Sequence, residues 1–166
     1  NLLLKFIIKE LEKVKLIVLN IKSIAPELFL GLGKHTKVYP SKISQSDIDR
    51  GRSILNTLSN YDIGQSIIVQ QGTVIGIEAI EGTDNLIKRS KKYFKDGVKP
   101  TLIKLFKKKQ DIRADLPTIG SKTIQLCKSH SIGGIAFTGN KTLFIDSQKV
   151  IKDMDVNNLF LIGING

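Results

Sequence analysis

Apolar residues at 3, 4, 7, 8, 11 and 14 recur at the spacing of one helical face, which predicts an amphipathic helix over residues 2–14. Residues 16–19, Leu-Ile-Val-Leu, form a short apolar run of the kind a buried strand shows. Residues 25–45 carry Pro26, Gly31, Gly33 and Pro40 without periodicity and are expected to be a linker. Ser46 stands where an N-cap would open a helix over 47–58. Two β-branched runs, Ser66–Gln70 and 73–80, flank Gln71-Gly72 and predict a hairpin. A helix over 85–94, a strand over 101–106 and a helix over 118–128 follow. Gly134–Thr138 and 142–145 bracket Gly139-Asn140-Lys141 as a second hairpin, before a helix over 148–156 and a strand over 159–164. Strands outnumber helices, so the fold class expected is α/β: a mixed sheet with helices packed on it, built from hairpins plus αβ units.

Composition narrows the partners. With 166 residues, 41% of them hydrophobic, the chain can bury one good core. It has no apolar run of spanning length, and its opening segment lacks a signal cleavage pattern. A lone cysteine, Cys127, fits a reducing compartment, and with only His35 and His130 a Cys/His metal cage is disfavoured; a cytoplasmic location is expected. The net charge is +11, and residues 88–109 hold ten basic residues against the single acid Asp96. Such a run can attract an anionic lipid surface, nucleic acid or a phosphorylated ligand. No interleaved aromatic platform accompanies it, so nucleic acid is not expected as a partner.

Candidate chemistry centres on residues 110–120, Gln-Asp-Ile-Arg-Ala-Asp-Leu-Pro-Thr-Ile-Gly. Asp111, Arg113 and Asp115 alternate, so in an extended loop all three would share a face. Carboxylates suit a hard divalent cation, and Arg grips phosphate; the same spacing also fits a solvated loop with an ordinary ion pair. Glu78 and Glu81 flank apolar positions, and Thr83 or Asp84 can cap the next helix. Gly31-Leu-Gly-Lys-His-Thr36 fits neither the P-loop pattern nor the dinucleotide fingerprint.

Three stretches in fixed order carry a resemblance: Asp62-Ile-Gly-Gln65, Gly76-Ile-Glu-Ala-Ile-Glu-Gly-Thr-Asp84 and the 110–120 loop, with Gly133-Gly-Ile-Ala136 and Leu159-Phe-Leu-Ile-Gly163 closing the chain. Together they resemble the LpxI-type UDP-2,3-diacylglucosamine pyrophosphatases of lipid A biosynthesis. The resemblance implies a C-terminal catalytic domain over 46–166, the linker 25–45, and over 1–24 the tail of an otherwise missing N-terminal αβ domain. It implies Mg2+ or Mn2+ dependence and hydrolysis of the substrate to UMP and 2,3-diacylglucosamine 1-phosphate. Carried onto these residues, Asp111, Asp115 and Arg113 would be catalytic. Asp111, Asp115, Glu78, Glu81 and Asp84 would be the metal ligands. Lys104, Lys107, Gln110, Thr118 and Gln71 (Gln70 more weakly) would contact substrate. A homodimer, a peripheral membrane association and a separately encoded N-terminal half are also implied. Lys107-Lys108-Lys109 stands where the family has Lys-Pro-Gly before Gln-Asp, which loosens the turn. The alternative is a non-catalytic remnant or a basic binding module.

Overall fold

The computed structural model describes residues 2–108 and 110–166; Asn1 and Lys109, the latter part of the basic run, lie outside them. The sequence α1 (Leu2–Lys13), α2 (Ile21–Ile24), β1 (Gly33–Lys34), α3 (Lys42–Leu58), β2 (Ser66–Gln70), β3 (Thr73–Ile77), α4 (Gly82–Ser90) and β4 (Thr101–Lys104) makes up the first part. β5 (Thr118–Ile119), α5 (Ser121–Ser129), β6 (Gly134–Thr138), β7 (Leu143–Phe144), α6 (Ser147–Val156) and β8 (Phe160–Ile164) complete it.

Six strands form one mixed sheet in the order β1-β8-β6-β4-β2-β3. β4, β6 and β8 are parallel neighbours joined through α5 and α6, while β2 runs antiparallel to both β4 and β3. β3, β4, β6 and β8 therefore share a direction, and their carboxyl ends define one edge of the sheet. Alternation along the central strands sorts side chains to two faces. Ile68, Leu102, Ile135, Phe137 and Leu161 pack under α4, α5 and α6 with Leu86, Ile124, Cys127 and Met154. Ile67, Val69, Ile103, Ala136 and Phe160 pack under α3 with Ile48 and Leu55. Burial on both faces explains why these strands read as continuous apolar runs rather than alternating ones.

Several elements depart from the sequence reading. Residues 16–19 are not a strand, and Leu16, Ile17 and Leu19 stay exposed. The stretch expected to be a linker supplies the edge strand β1, antiparallel to β8 through Gly33↔Gly163. The long helix α3 starts at Lys42, because Ser41 rather than Ser46 accepts the first-turn amide, that of Ser44, at 3.1 Å. β7 does not return against β6 as a hairpin. Thr142 Oγ1 donates back to the Thr138 carbonyl at 3.0 Å, and Leu143–Phe144 pairs in parallel with Thr118–Ile119 instead. The hairpin at Gln71-Gly72 does form; both residues have positive φ (49° and 76°), as tight two-residue turns favour.

Candidate functional site

The carboxyl edge gathers the loop after β3, the long loop after β4 and the first turns of α4 and α5. Glu78, Glu81, Gly82, Thr83, Asp84, Lys88, Lys104, Thr118 and Lys122 line a cleft of about 420 Å³ there. Five residues singled out in the sequence (Glu78, Glu81, Asp84, Lys104 and Thr118) thus meet in one place.

Lys104 ends β4 and faces α4. It is only 5% exposed, and its Nζ donates to Thr83 Oγ1 at 2.8 Å without forming an ion pair among the described residues. Burial pushes the ammonium below its ordinary pKa, against the charges of Glu78 and Asp84. Glu78 follows β3 and is 7% exposed, so the solvent-facing strand position that an acid in this run would suggest is not found. Its backbone amide donates to the Ser66 carbonyl at 2.8 Å, and its Oε2 accepts from Thr83 Oγ1 at 2.9 Å. Neither Thr83 nor Asp84 caps α4; Glu81 occupies that position, with no side-chain capping bond. Glu81 instead takes Arg89 through Nε and Nη2 at 2.9 and 2.7 Å, which holds its carboxyl below the usual range. Asp84 pairs with Lys122 at 2.8 Å and raises that ammonium's pKa.

Glu78 also borders an adjoining cavity of about 370 Å³ with Asp62, Ile63, Gly64, Gln65, Ala79, Ile80 and Lys107. Lys107 Nζ reaches Asp62 at 2.6 Å, lowering the pKa of that carboxyl. Gln110 accepts the Lys107 amide at 2.7 Å and donates to Gln65 at 3.0 Å, which stitches the 62–65 motif to the 110–120 loop. Gly64 sits at φ +53°, and a Cβ there would lie 2.0 Å from the Glu78 carbonyl oxygen. Only glycine lets this turn touch the base of the site.

The acidic loop is placed differently from the extended segment expected. Residues 111–115 close a turn in which the Ala114 and Asp115 amides both donate to the Asp111 carbonyl, so alternation does not put the three charges on one face. Asp111 Oδ1 accepts the Arg113 amide and Nε, each at 3.0 Å, and Oδ2 accepts Arg113 Nη2 at 2.8 Å. That clamp holds the Asp111 carboxyl down at about 2. Arg113 also reaches Glu12 of α1 at 2.7 Å. Asp111 and Gln110 line a third cavity with Lys5, Phe106, Lys108 and Lys141; Asp115 is half-buried at the end of the turn and borders none of the three. Gln71 lies at the opposite edge of the sheet, where its side chain donates to the Asp96 carbonyl at 2.9 Å. Gln70 is bound there too, to the Lys95 and Val98 carbonyls. The basic run is likewise divided: Lys91, Lys95 and Lys99 line a cavity at that far edge, and Lys104 and Lys107 lie at the carboxyl edge.

Carboxylate oxygens are the donors a hard divalent cation takes. No three His, Cys, Asp or Glu side chains among the described residues are grouped closely enough to cage an ion. Magnesium, however, commonly uses one or two carboxylates and completes its shell with water and substrate phosphate, and the Glu78–Asp84 rim fits that mode. Thr83, Ser66, Lys88 and Lys122 were missed as site residues in the sequence. Lys88 is part of the basic run, and Thr83 stands in the Glu78–Asp84 stretch; Ser66 and Lys122 carry no local signal.

A mixed α/β sheet with a cleft of three carboxylates and three lysines at its carboxyl edge is the class of architecture the chain presents, with the cleft outside the strand ends where α/β folds hold ligands. The chain belongs to the LpxI family: residues 31–162 match the LpxI C-terminal domain. It is 31% identical over 172 aligned positions to the UDP-2,3-diacylglucosamine pyrophosphatase LpxI of Caulobacter vibrioides. That alignment covers 98% of this chain but only 60% of the relative, so the chain spans well under two thirds of the protein it matches.

Proposed function

We propose that this chain carries the catalytic side of a hydrolase that splits the diphosphate of UDP-2,3-diacylglucosamine into UMP and 2,3-diacylglucosamine 1-phosphate, a step of lipid A synthesis. The observation that carries the reading is Lys104, a buried ammonium with one hydrogen-bond partner and two N–H groups unspent among the described residues, set beside the α4 amino terminus and Glu78. A phosphoryl oxygen entering the cleft meets that donor pair and the first-turn amides of α4 together.

The substrate class also fits the neighbouring cavity. Ile63 and Ile80 expose apolar surface beside Glu78, so a ligand with a charged diphosphate and greasy chains finds both surfaces within one residue's reach. Mg2+ or Mn2+ would be held by Glu78 and Asp84, with Glu81, or by Asp111 and Asp115, where it would neutralise charge that develops on the diphosphate. Arg113 reaches a phosphate only by releasing Glu12, and Asp111 meets a cation only by loosening Arg113. Thr118 and Lys107 complete the polar rim. A peripheral membrane position, a homodimer and an N-terminal half supplied from elsewhere accompany this reading.

The test is UMP release from the UDP-linked diacyl sugar with magnesium, by the chain alone and with an LpxI N-terminal half added in trans. Lys104→Met is expected to lower kcat/KM about 100-fold, the scale of losing one charged donor to the transition state. Asp111→Ala and Asp115→Ala are expected to lower it as well, and chelation to abolish turnover. Full activity in all three variants, or turnover indifferent to chelator, would overturn the reading.

A further inference from the structure

Thr83 is the centre of a buried polar cluster that the motifs alone do not explain. Its hydroxyl lies 2.9 Å from Glu78 Oε2, 2.8 Å from Lys104 Nζ and 3.0 Å from Ser66 Oγ. An ammonium only donates and a carboxylate only accepts, so the Thr83 proton points to Glu78. Its two lone pairs then take Lys104 and the Ser66 hydroxyl, and the oxygen is saturated. Lys104 and Glu78 have opposite charges, lie within one cleft and are both more than nine-tenths buried, yet they make no direct ion pair. The hydroxyl sits between them. A direct pair would spend the ammonium on the carboxylate; the bridge leaves two Lys104 N–H groups and Glu78 Oε1 with no protein partner among the described residues.

We infer that Thr83 is a positioning residue that keeps Lys104 and Glu78 bridged rather than paired, so that the Lys104 ammonium stays open to a phosphoryl oxygen of the ligand. This rests on the diphosphate reading of the cleft. Removing the hydroxyl lets Lys104 close onto Glu78, and the anion site is filled from within. A methyl in its place preserves volume but not the bridge.

The experiment is calorimetric titration of inorganic pyrophosphate, with magnesium, into the chain and its variants. Thr83→Val and Thr83→Ala are expected to weaken binding 10-fold or more, about the cost of mispositioning one charged hydrogen bond, and Thr83→Ser to bind within about threefold of the native chain. Thr83→Val is expected to raise KM for the UDP-linked substrate more than it lowers kcat. Native affinity in both hydroxyl-less variants, while Lys104→Met fails to bind, would overturn the inference and leave the diphosphate reading standing. Equal losses in Thr83→Ser and Thr83→Val would assign Thr83 to packing and overturn it too. A native chain that takes no pyrophosphate, or a Lys104→Met variant that takes it fully, would overturn the reading of the cleft itself.

Discussion

The two edges of the sheet each bury a charged side chain and use it in opposite ways. At the amino edge, Asp47 is fully buried and accepts the amides of Gln71 and Gly72 at 2.9 and 2.6 Å. Gln70 and Gln71 are similarly spent on the carbonyls of the 95–98 loop. These groups close off chain ends. At the carboxyl edge, Lys104 and Glu78 are almost as buried but retain unused hydrogen-bonding capacity that faces a cavity. Burying a charge is unfavourable unless it is matched. An edge whose charges are matched by its own backbone is closed; one whose charges keep unspent donors and acceptors is open to an outside partner.

The sharpest way to break this contrast is to remove the charge from each edge in turn. Asp47→Ala should lower stability by about 3 kcal/mol, the loss of two charge-assisted bonds, with pyrophosphate affinity per folded molecule unchanged; urea unfolding and titration measure the two. Lys104→Met should abolish pyrophosphate binding per folded molecule. It also leaves the buried Glu78 carboxylate without its cation and should lower stability by about 3 kcal/mol, so affinity is what separates the two edges. Next in size is Gly64→Ala, expected to lower stability by about 2 kcal/mol through a strained positive φ and a clash. Because the clash is with the Glu78 carbonyl, it should weaken pyrophosphate binding as well, and a stability loss without a binding loss would detach that turn from the site.

A smaller effect depends on pH. The Asp111 carboxyl is more acidic folded, at about 2, than its ordinary value of 3.8, so protonation favours the unfolded chain. Its contribution is present above about pH 4 and fades as pH falls through about 2. The stability difference between the native chain and Asp111→Asn should therefore shrink over that window in urea titrations at stepped pH. The smallest effect is none at all: burial raises the Cys127 thiol to about 12, so the folded chain should resist thiol alkylation at pH 8.

Much of this architecture is legible in the chain. The central strands announce themselves because each is buried on two faces, and the β2–β3 hairpin follows from its Gln71-Gly72 turn. The two-residue strands Gly33–Lys34, Thr118–Ile119 and Leu143–Phe144 are too short to set any period and depend on partners far along the chain. Residues 16–19 have the composition of a strand but join no sheet and leave Leu16, Ile17 and Leu19 exposed. In the site, Glu78, Glu81, Asp84, Lys104 and Thr118 converge because strand ends and helix starts meet there. Asp111 and Arg113 clamp to each other while Asp115 takes no part, because Asp111 accepts the Arg113 amide and curls the loop into a turn. Alternation argued for an extended segment; the side chain of the first aspartate chose otherwise.

The most direct test follows amide chemical shifts as magnesium and pyrophosphate are added to the chain. The account predicts shifts concentrated in residues 78–84, 104–107 and 118–123, with residues 70–72 and 95–99 unmoved. Shifts centred on Lys91, Lys95 and Lys99 at the far edge, with residues 78–84 silent, would contradict it.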